Sequence, residues 1–195
     1  VGTAGSFAVT ATGFPAPAVS VSGTLPAGVA FDPASKTLSG TPTQSGVFVV
    51  TVRATNGVTP TASQTLTLTV NQAPAFTSAP SANFLLGTAG AFRVSTVGFP
   101  AATLSAVGSL PPGVRFTADG SGGGTLSGSP TRPGRYAVTL VARNGISPDA
   151  TQSFTLVVPG VDQNAVPWYS TTGGAGGGEV RTPDGSVAAT LPPNA

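Results

Sequence analysis

The sequence has no cysteine, histidine or methionine, and it has one lysine and one glutamate among its 195 residues. Without cysteine there is no disulfide and no thiol chemistry, and without cysteine and histidine the usual zinc sites are excluded. Long hydrophobic runs are also missing, because the longest, Val47–Val50, is far shorter than the roughly 20 residues of a membrane-spanning helix. We therefore predict no zinc centre and no membrane insertion of this segment.

Charge is scarce as well. Only 7% of the residues are charged, and eight Lys and Arg against six Asp and Glu give a net charge of +2. A nucleic-acid-binding protein needs a basic patch or stripe, but of the basic residues only Arg132 and Arg135 lie close together in the sequence. We therefore predict no nucleic-acid partner. The 39% hydrophobic content also argues against a disordered, charge-rich tail.

What the sequence does have is glycine, 27 residues, and proline, 19 residues, and much of both lies in an internal repeat. Gly2–Phe7 returns as Gly87–Phe92, 85 positions later. The same repeat relates Gly13–Pro15 to 98–100, Leu25–Val29 to 110–114, Leu38–Pro42 to 126–130, Ala54–Gly57 to 142–145, and Gln64 to Gln152. The glycine tract at 120–124 absorbs a small insertion in the second copy. A repeat of this extent decides the fold, because both copies must form the same unit.

Within each copy, apolar residues alternate with polar ones. Phe48, Val50, Val52 and Ala54 form one such series, and Leu66–Val70 forms another with Thr at the intervening positions. A period of two is typical of half-buried antiparallel strands, and frequent Pro and Gly exclude long helices. We predict an all-β fold whose strands also include Phe7–Ala11 and, in the second copy, Tyr136–Ala142 and Phe154–Val158.

Turn residues separate these strands. Gly28 suits a positive φ that turns the chain after Pro26, and Asn56-Gly57 favours a hairpin loop, here longer than two residues. The matched spacing in the two copies predicts that Phe31 and Phe116 are equivalent core residues, and that Leu38 and Leu126 are another buried pair.

These residues carry a family resemblance. The runs Leu25–Asp32, Leu38–Thr43, Gly46–Phe48 and Ala54–Gly57 resemble the bacterial putative-Ig family, which is similar to cadherin-like and dystroglycan-type modules. The resemblance implies two tandem immunoglobulin-like β-sandwiches, and several short strands in units of about 80 residues agree with it. We place domain 1 at residues 1–70, without its first strand, and domain 2 at 71–158. In domain 2, residues 73–86 supply an opening strand bearing Phe76 and Phe84.

Residues that could support catalysis are few. The acids are Asp32, Asp119, Asp149, Asp162, Glu179 and Asp184. Without histidine or a second nearby acid, Asp32 and Asp119 are predicted to cap turns rather than to catalyse. Calcium would need several carboxylates at the junction 71–76, which has none. The single lysine, Lys36, lies in the first copy, so a Lys–Asn isopeptide crosslink is excluded in the second copy and is not expected in the first. We predict no catalytic residues, no metal site and no cofactor.

Residues 159–195 depart from the repeat. Gly173–Gly178 resembles a flexible linker, and Glu179–Val187 has the pattern of a hairpin that begins a further domain. Trp168 and Tyr169 could stack on a sugar, but aromatics more often pin a segment to an apolar surface.

The function that follows is structural. The resemblance implies a non-catalytic spacer, stalk or adhesion module of a larger secreted or cell-surface bacterial protein, whose partners are the adjacent domains of the same chain. The alternative is a module of an extracellular hydrolase that binds a surface glycan or a host protein.

Overall fold

The alternating segments form strands throughout the computed structural model, which describes residues 1–160 and the strands at 178–181 and 187–191. Residues 1–158 form one compact unit and residues 159–195 another. Within the described residues there is no helix, and hence none that is long and apolar enough to cross a membrane. The strands of the first unit are β1 Gly5–Ala8, β2 Ala18–Gly23, β3 Val29–Asp32, β4 Thr37–Gly40, β5 Gly46–Thr55, β6 Ala62–Val70, β7 Gln72–Phe76, β8 Ser81–Asn83, β9 Gly90–Phe99, β10 Thr103–Gly108, β11 Val114–Ala118, β12 Gly123–Gly128, β13 Gly134–Arg143 and β14 Ala150–Val158.

Domain 1 is a sandwich of two three-stranded antiparallel sheets. One sheet has the order β1-β4-β3 and the other the order β2-β5-β6. Both β1 and β6 therefore lie at sheet edges. Domain 2 repeats these six strands as β9 to β14 and adds two more at its start.

The two added strands of domain 2 join opposite sheets. β7 pairs antiparallel with β9 and completes the order β11-β12-β9-β7, while β8 pairs parallel with β14 and completes β10-β13-β14-β8. The expected opening strand is thus present as two short strands, which carry Phe76 and lead to Phe84. Domain 1 has no counterpart of either strand in the described residues.

This difference changes the strand that follows. The sequence predicted a strand through Phe7, Val9 and Ala11, but β1 ends at Ala8, whereas its counterpart β9 continues to Phe99. In domain 2, the second half of β9 pairs with β7, for example Phe76 with Thr96. Without such a neighbour, residues 9–12 form no ladder.

The core reflects the same difference. Of the buried hydrophobic residues, only Val19, Leu38 and Val50 lie in domain 1. Leu156 of domain 2 is fully buried, whereas its counterpart Leu68 is half-buried. In domain 2 the rings of Phe92 and Phe154 pack with centroids 5.1 Å apart, whereas Phe7, the counterpart of Phe92, is 50% exposed.

The predicted core pairs have mixed outcomes. Leu38 and Leu126 are both buried, with 2% and 0% of their surfaces exposed. Phe31 and Phe116 occupy equivalent strand positions, opposite those leucines, but both are only half-buried. The two positions are therefore equivalent, as predicted, but the prediction that they are buried was wrong: both are covered only in part, and Phe116 packs against the core cluster of domain 2.

The repeated motifs Leu-Pro-x-Gly and Leu-Ser-Gly meet through their glycines. Gly28 has a φ of +86° and Gly40 a φ of +144°, and a Cβ on Gly40 would collide with the carbonyl oxygen of Gly28. Gly113 and Gly128 repeat this contact in domain 2. The spacing of the motif therefore brings two backbones together at a distance that only glycine allows.

The second compact unit contains two described strands. β15 Gly178–Arg181 pairs antiparallel with β16 Val187–Leu191, so this segment contains the expected hairpin. Trp168, Tyr169 and most of the glycine tract lie outside the described residues.

Domain 1 should lose hydrogen-exchange protection before domain 2, because fewer of its apolar residues are buried and β1 and β6 have free edges. Exchange measured by mass spectrometry, resolved by peptide, tests this expectation. Equal protection of β6 and β14 would contradict it.

Candidate functional site: the junction between the domains

The junction between the two domains is one residue long. β6 ends at Val70 and β7 begins at Gln72, so that only Asn71 lies outside a strand. Flexible linkers need several residues without such pairing. The chain therefore passes from one sandwich into the next with very little free backbone.

Gln72 is hydrogen-bonded to both domains. The Ser45 hydroxyl of domain 1 donates to Gln72 Oε1 at 2.9 Å, and Asn144 Nδ2 of domain 2 donates to the Gln72 carbonyl oxygen at 2.8 Å. Gln72 also lies opposite Phe99 in the β7–β9 ladder. The last two contacts fix Gln72 within domain 2, and the Ser45 bond then ties this residue to domain 1.

The Asn-Gly turns supply part of this site. Asn144 Nδ2 donates a second hydrogen bond, to the Pro100 carbonyl at 2.8 Å, and its Oδ1 accepts the Ile146 N–H at 3.1 Å. In domain 1, Asn56 makes the matching bonds to Pro15 and Val58. The asparagine of each copy thus ties two loops together. In domain 2 it also donates to the carbonyl of Gln72, the first residue of β7.

The end of each domain that carries the Asn-Gly turn is more exposed in domain 1 than in domain 2. Phe14 of domain 1 is 95% exposed and Val58 beside Asn56 is 58% exposed. Their counterparts in domain 2, Phe99 and Ile146, are half-buried near the junction. Domain 1 therefore presents apolar side chains at the end that domain 2 uses for its contact.

The two turn acids do what the sequence predicted. Asp32 accepts hydrogen bonds from the Ser35 hydroxyl at 2.6 Å and from the Ala34 N–H at 3.0 Å, and these bonds lower the pKa of the Asp32 carboxyl. Asp119 accepts bonds from the Ser121 N–H at 2.8 Å and the Gly123 N–H at 2.9 Å. Both carboxylates are occupied by their own turns.

Asp119 has an additional partner that Asp32 lacks. Arg93 Nη2 lies 3.0 Å from its carboxylate, and the Arg93 side chain is 67% exposed. The Ser121 N–H is the main cause that lowers the pKa of Asp119 from its ordinary value of 3.8; partial desolvation opposes it, while the Ser121 hydroxyl, the Gly123 N–H and Arg93 add to it. The turn of the second copy therefore includes an ion pair that the turn of the first copy lacks.

Acid should weaken domain 2 through Asp119. Because the folded pKa lies below the unfolded one, its stabilisation is complete well above pH 3.8 and is lost as pH falls through the folded value. Asp119→Asn should therefore flatten the stability profile below about pH 4, measured as the urea midpoint at a series of pH values. Asp149→Asn, which removes an exposed ion pair with Arg143, is the control for the loss of one surface carboxylate.

Other candidate chemical groups are dispersed. Lys36 Nζ donates to the Pro17 carbonyl at 3.1 Å. Among the described residues there is no group of three His, Cys, Asp or Glu side chains that could hold a metal ion. Asp162, Glu179 and Asp184 lie beyond the residues whose side chains the structure describes.

Sequence reasoning missed the role of Ser45 and Gln72. The sequence bears on residues 71–76 only through their lack of carboxylates for calcium. A usable signal was present, because the strand pattern of domain 1 continues to Val70 and that of domain 2 resumes two residues later. Nothing in the sequence pointed to Ser45 as the partner of Gln72.

Two sandwiches with this strand order, joined by one residue and a hydrogen bond between Ser45 and Gln72, define a tandem immunoglobulin-like protein. The family model described as "Putative Ig domain" matches residues 1–71 and again residues 73–159. The chain belongs to this family.

Solved structures of tandem Ig domains are similar in fold. The titin Ig tandem domains A164-A165 match with a TM-score of 0.50 at 14% identity, over 82% of this chain and 90% of that one. The structure of Dpr2 Ig1-Ig2 in complex with DIP-Theta Ig1-Ig3 matches with a TM-score of 0.52 at 18% identity, over 80% of this chain and 58% of that one. No curated protein matches the sequence. Domains of this class are generally structural or binding modules, and they are typically non-catalytic.

Proposed function

We propose that the chain is a non-catalytic spacer, stalk or adhesion module of a larger secreted or cell-surface bacterial protein. The observation that carries this proposal is the junction, where Asn71 alone separates two strands and Gln72 is hydrogen-bonded to both domains. A pair joined in this way can hold a neighbouring domain at a set distance. The family resemblance supports an extracellular location. The low charge and the absence of cysteine agree with it, since no thiol has to be kept reduced.

The stiffness of the pair follows from what the junction bonds restrain. Rotation between the domains requires changes in φ and ψ near Asn71. Such changes would break the Ser45–Gln72 bond, which crosses between the domains and is worth about 0.5–1.5 kcal/mol. Inter-domain motion is the default for chains whose domains share little contact. This bond, together with the short connection, opposes that motion.

The domain pair should tumble as one body in solution. ¹⁵N relaxation of the full chain would give rotational correlation times for the amides of β5 and of β13, and these times should agree. A variant with a Gly-Ser-Gly-Ser insertion after Asn71 should give two shorter, unequal times. Gln72→Ala is the finer variant, because it removes the acceptor for Ser45 and leaves the backbone acceptor for Asn144. Two independent correlation times in the unaltered chain would contradict the spacer function.

We also propose that the pair binds no metal and needs no cofactor. Calcium sites require converging carboxylate and carbonyl oxygens, and the described acids Asp32, Asp119 and Asp149 are engaged in turns or with arginine. A ligand bound only by the native state raises stability by RT ln(1 + [L]/Kd).

Thermal unfolding should therefore be the same with calcium and with a chelator. Scanning calorimetry of the full chain with millimolar calcium or EDTA, at constant ionic strength, is the measurement. A rise of several degrees with calcium would contradict the absence of a site. Magnesium at the same concentration controls for general salt effects.

A second candidate function is binding of a glycan or a host protein, the role of an accessory module of an extracellular hydrolase. The observation that favours it is Phe14, 95% exposed at the free loop end of domain 1. Exposed aromatic rings stack on sugars and anchor protein interfaces. A glycan array and a pull-down with the full chain test it, and Phe14→Ala should abolish any specific signal. A signal lost in Phe14→Ala but retained in Val49→Ala, an exposed control on β5, would favour binding over the pure spacer.

A further inference from the structure

Residues 77–80, which we call the crossover, carry the chain of domain 2 from one sheet to the other. They connect β7 to β8, and these two strands belong to opposite sheets. At the start of the crossover, the Thr77 N–H donates to the Ser95 carbonyl of β9 at 2.9 Å. At its end, the Pro80 carbonyl accepts the Thr155 N–H of β14 at 2.9 Å. Each end of the crossover is therefore bonded to a different sheet.

Gln152 of β14 is a polar residue in a row of core residues. Alternate residues of a strand lie on the same face, so Gln152 shares the inward face of β14 with Phe154 and Leu156, which are fully buried. In the neighbouring strand it pairs with Leu140, which is also fully buried. The Gln152 amide therefore lies between the two sheets, where a polar group must be hydrogen-bonded to be tolerated.

One half of this amide holds the crossover. Gln152 Nε2 donates a hydrogen bond to the Ser78 carbonyl oxygen at 3.2 Å. Because a carbonyl oxygen can only accept, this bond fixes which end of the amide faces Ser78. Gln152 thus attaches the middle of the crossover to β14, between the points where the backbone is bonded to the two sheets.

Two polar atoms of the same pair are buried and have no hydrogen-bond partner among the described residues. They are Gln152 Oε1 and Ser78 Oγ. Reversing the amide would not help, because it would place Oε1 against the Ser78 carbonyl, and two acceptors repel each other. The Nε2 bond joins the two residues, so both atoms border the same small space. Buried polar atoms in folded proteins nearly always have a partner, either a protein group or an ordered water.

We propose that domain 2 has a binding site for one buried water molecule between Gln152 Oε1 and Ser78 Oγ. The water donates one hydrogen to Gln152 Oε1 and forms a second bond with the Ser78 hydroxyl, which can donate or accept. Buried waters bind in this way to polar groups that the protein leaves unsatisfied. Both ends of the Gln152 amide then attach the crossover to β14, one directly and one through the water. This inference does not depend on the spacer function, since it concerns the interior of domain 2.

The water can be observed directly. A high-resolution crystal structure of the full chain should show one ordered water within hydrogen-bond distance of both Gln152 Oε1 and Ser78 Oγ. In solution, water-selective NOE and ROE spectra of the ¹⁵N-labelled chain should show cross-peaks of opposite sign at the Gln152 side-chain amide protons. That pattern marks a water that stays longer than the protein takes to tumble.

Two substitutions separate the water from the direct bond. Ser78→Ala removes the hydroxyl but keeps the carbonyl that accepts from Gln152 Nε2, so the water should be lost and the direct bond retained. Gln152→Leu, of similar size, should lose both. Hydrogen exchange at the Thr77 and Thr155 amides reports on the two ends of the crossover. It should accelerate by about tenfold in Gln152→Leu, the change expected for one lost hydrogen bond, and by less in Ser78→Ala.

Each substitution has a matched control on an exposed residue. Ser153→Ala changes the outward neighbour of Gln152, and Gln64→Leu changes the exposed glutamine at the same position of β6. Both should leave the water signal and the exchange of domain 2 unchanged. The proposal is overturned if the crystal structure shows Ser78 Oγ bonded directly to Gln152 Oε1 with no water between them. It is also overturned if the water signal is absent from the unaltered chain, or if it persists unchanged in Ser78→Ala.

Discussion

Replacing Gly128 by alanine should destabilise domain 2 by about 3–5 kcal/mol, near the upper limit for a single substitution. Gly128 has a φ of +140°, and a Cβ there would collide with the carbonyl oxygen of Gly113. That carbonyl belongs to the backbone, and the adjacent Val114 pairs with Gly128 in the β11–β12 ladder. Relief would require the hairpin to separate. Urea unfolding followed by hydrogen exchange resolved by domain measures the loss.

The control separates backbone strain from collision. Gly120 has a φ of +75° and open space around the position of a Cβ, so Gly120→Ala should cost only the roughly 1–2 kcal/mol of a left-handed alanine. Gly40→Ala, the counterpart of Gly128→Ala in domain 1, should be as severe as the latter in its own domain. Equal losses for Gly120 and Gly128 would mean that the contact with Gly113 contributes nothing.

These glycines show what a single sequence can predict. The sequence indicated that Gly28 follows Pro26 in a turn with positive φ, and the structure has that conformation. It did not indicate that Gly28 and Gly40 touch, because the contact arises only when β3 and β4 pair. Local backbone preference is readable from neighbours in the chain, but the approach of two backbones depends on strand register.

For burial, too, the sequence predicted what depends on neighbours in the chain and missed what depends on tertiary packing. Alternation identified the inward positions of β5 and β13, where neighbouring strands lie on both sides. The matched spacing of the two copies predicted Phe31 and Phe116 as core, and both are only half-buried. Alternation reports which face a residue points to. It does not report how completely that residue is covered: Val19 on the edge strand β2 is 4% exposed, whereas Phe48 and Val52 on the central strand β5 are half-buried.

The junction was the least predictable part of the candidate site. The sequence showed that residues 71–76 contain no acid, which bears on calcium but not on stiffness. The bond between Ser45 and Gln72 joins a residue before β5 to one after β6, and no periodicity reports such a pair. Asn144 was predicted as a turn residue, and its second bond, to the Gln72 carbonyl, follows only from the pairing of β7 with β9 in its own domain.

Phe84→Ala should destabilise domain 2 by about 3–5 kcal/mol, the usual cost of removing a buried phenylalanine, and should make its edge resemble that of domain 1. Phe14→Ala, at a 95% exposed side chain, is the matched control and should change stability by less than about 0.5 kcal/mol. Exchange of β14 should accelerate toward that of β6 in the first variant only.

Substitution of Gly90, on which the Phe84 ring packs, tests the same contact from the other side. Alone, Gly90→Ala should cost about 1–3 kcal/mol, since its Cβ would overlap the Phe84 ring at 2.6 Å. Once Phe84 is alanine the overlap is gone, so Gly90→Ala should then be neutral or stabilising, as Gly5→Ala should be in domain 1, where no ring is present. A double-mutant cycle measures this coupling directly. Additive losses would show that the Phe84 ring does not press on Gly90 and that the side chain stabilises domain 2 without this contact.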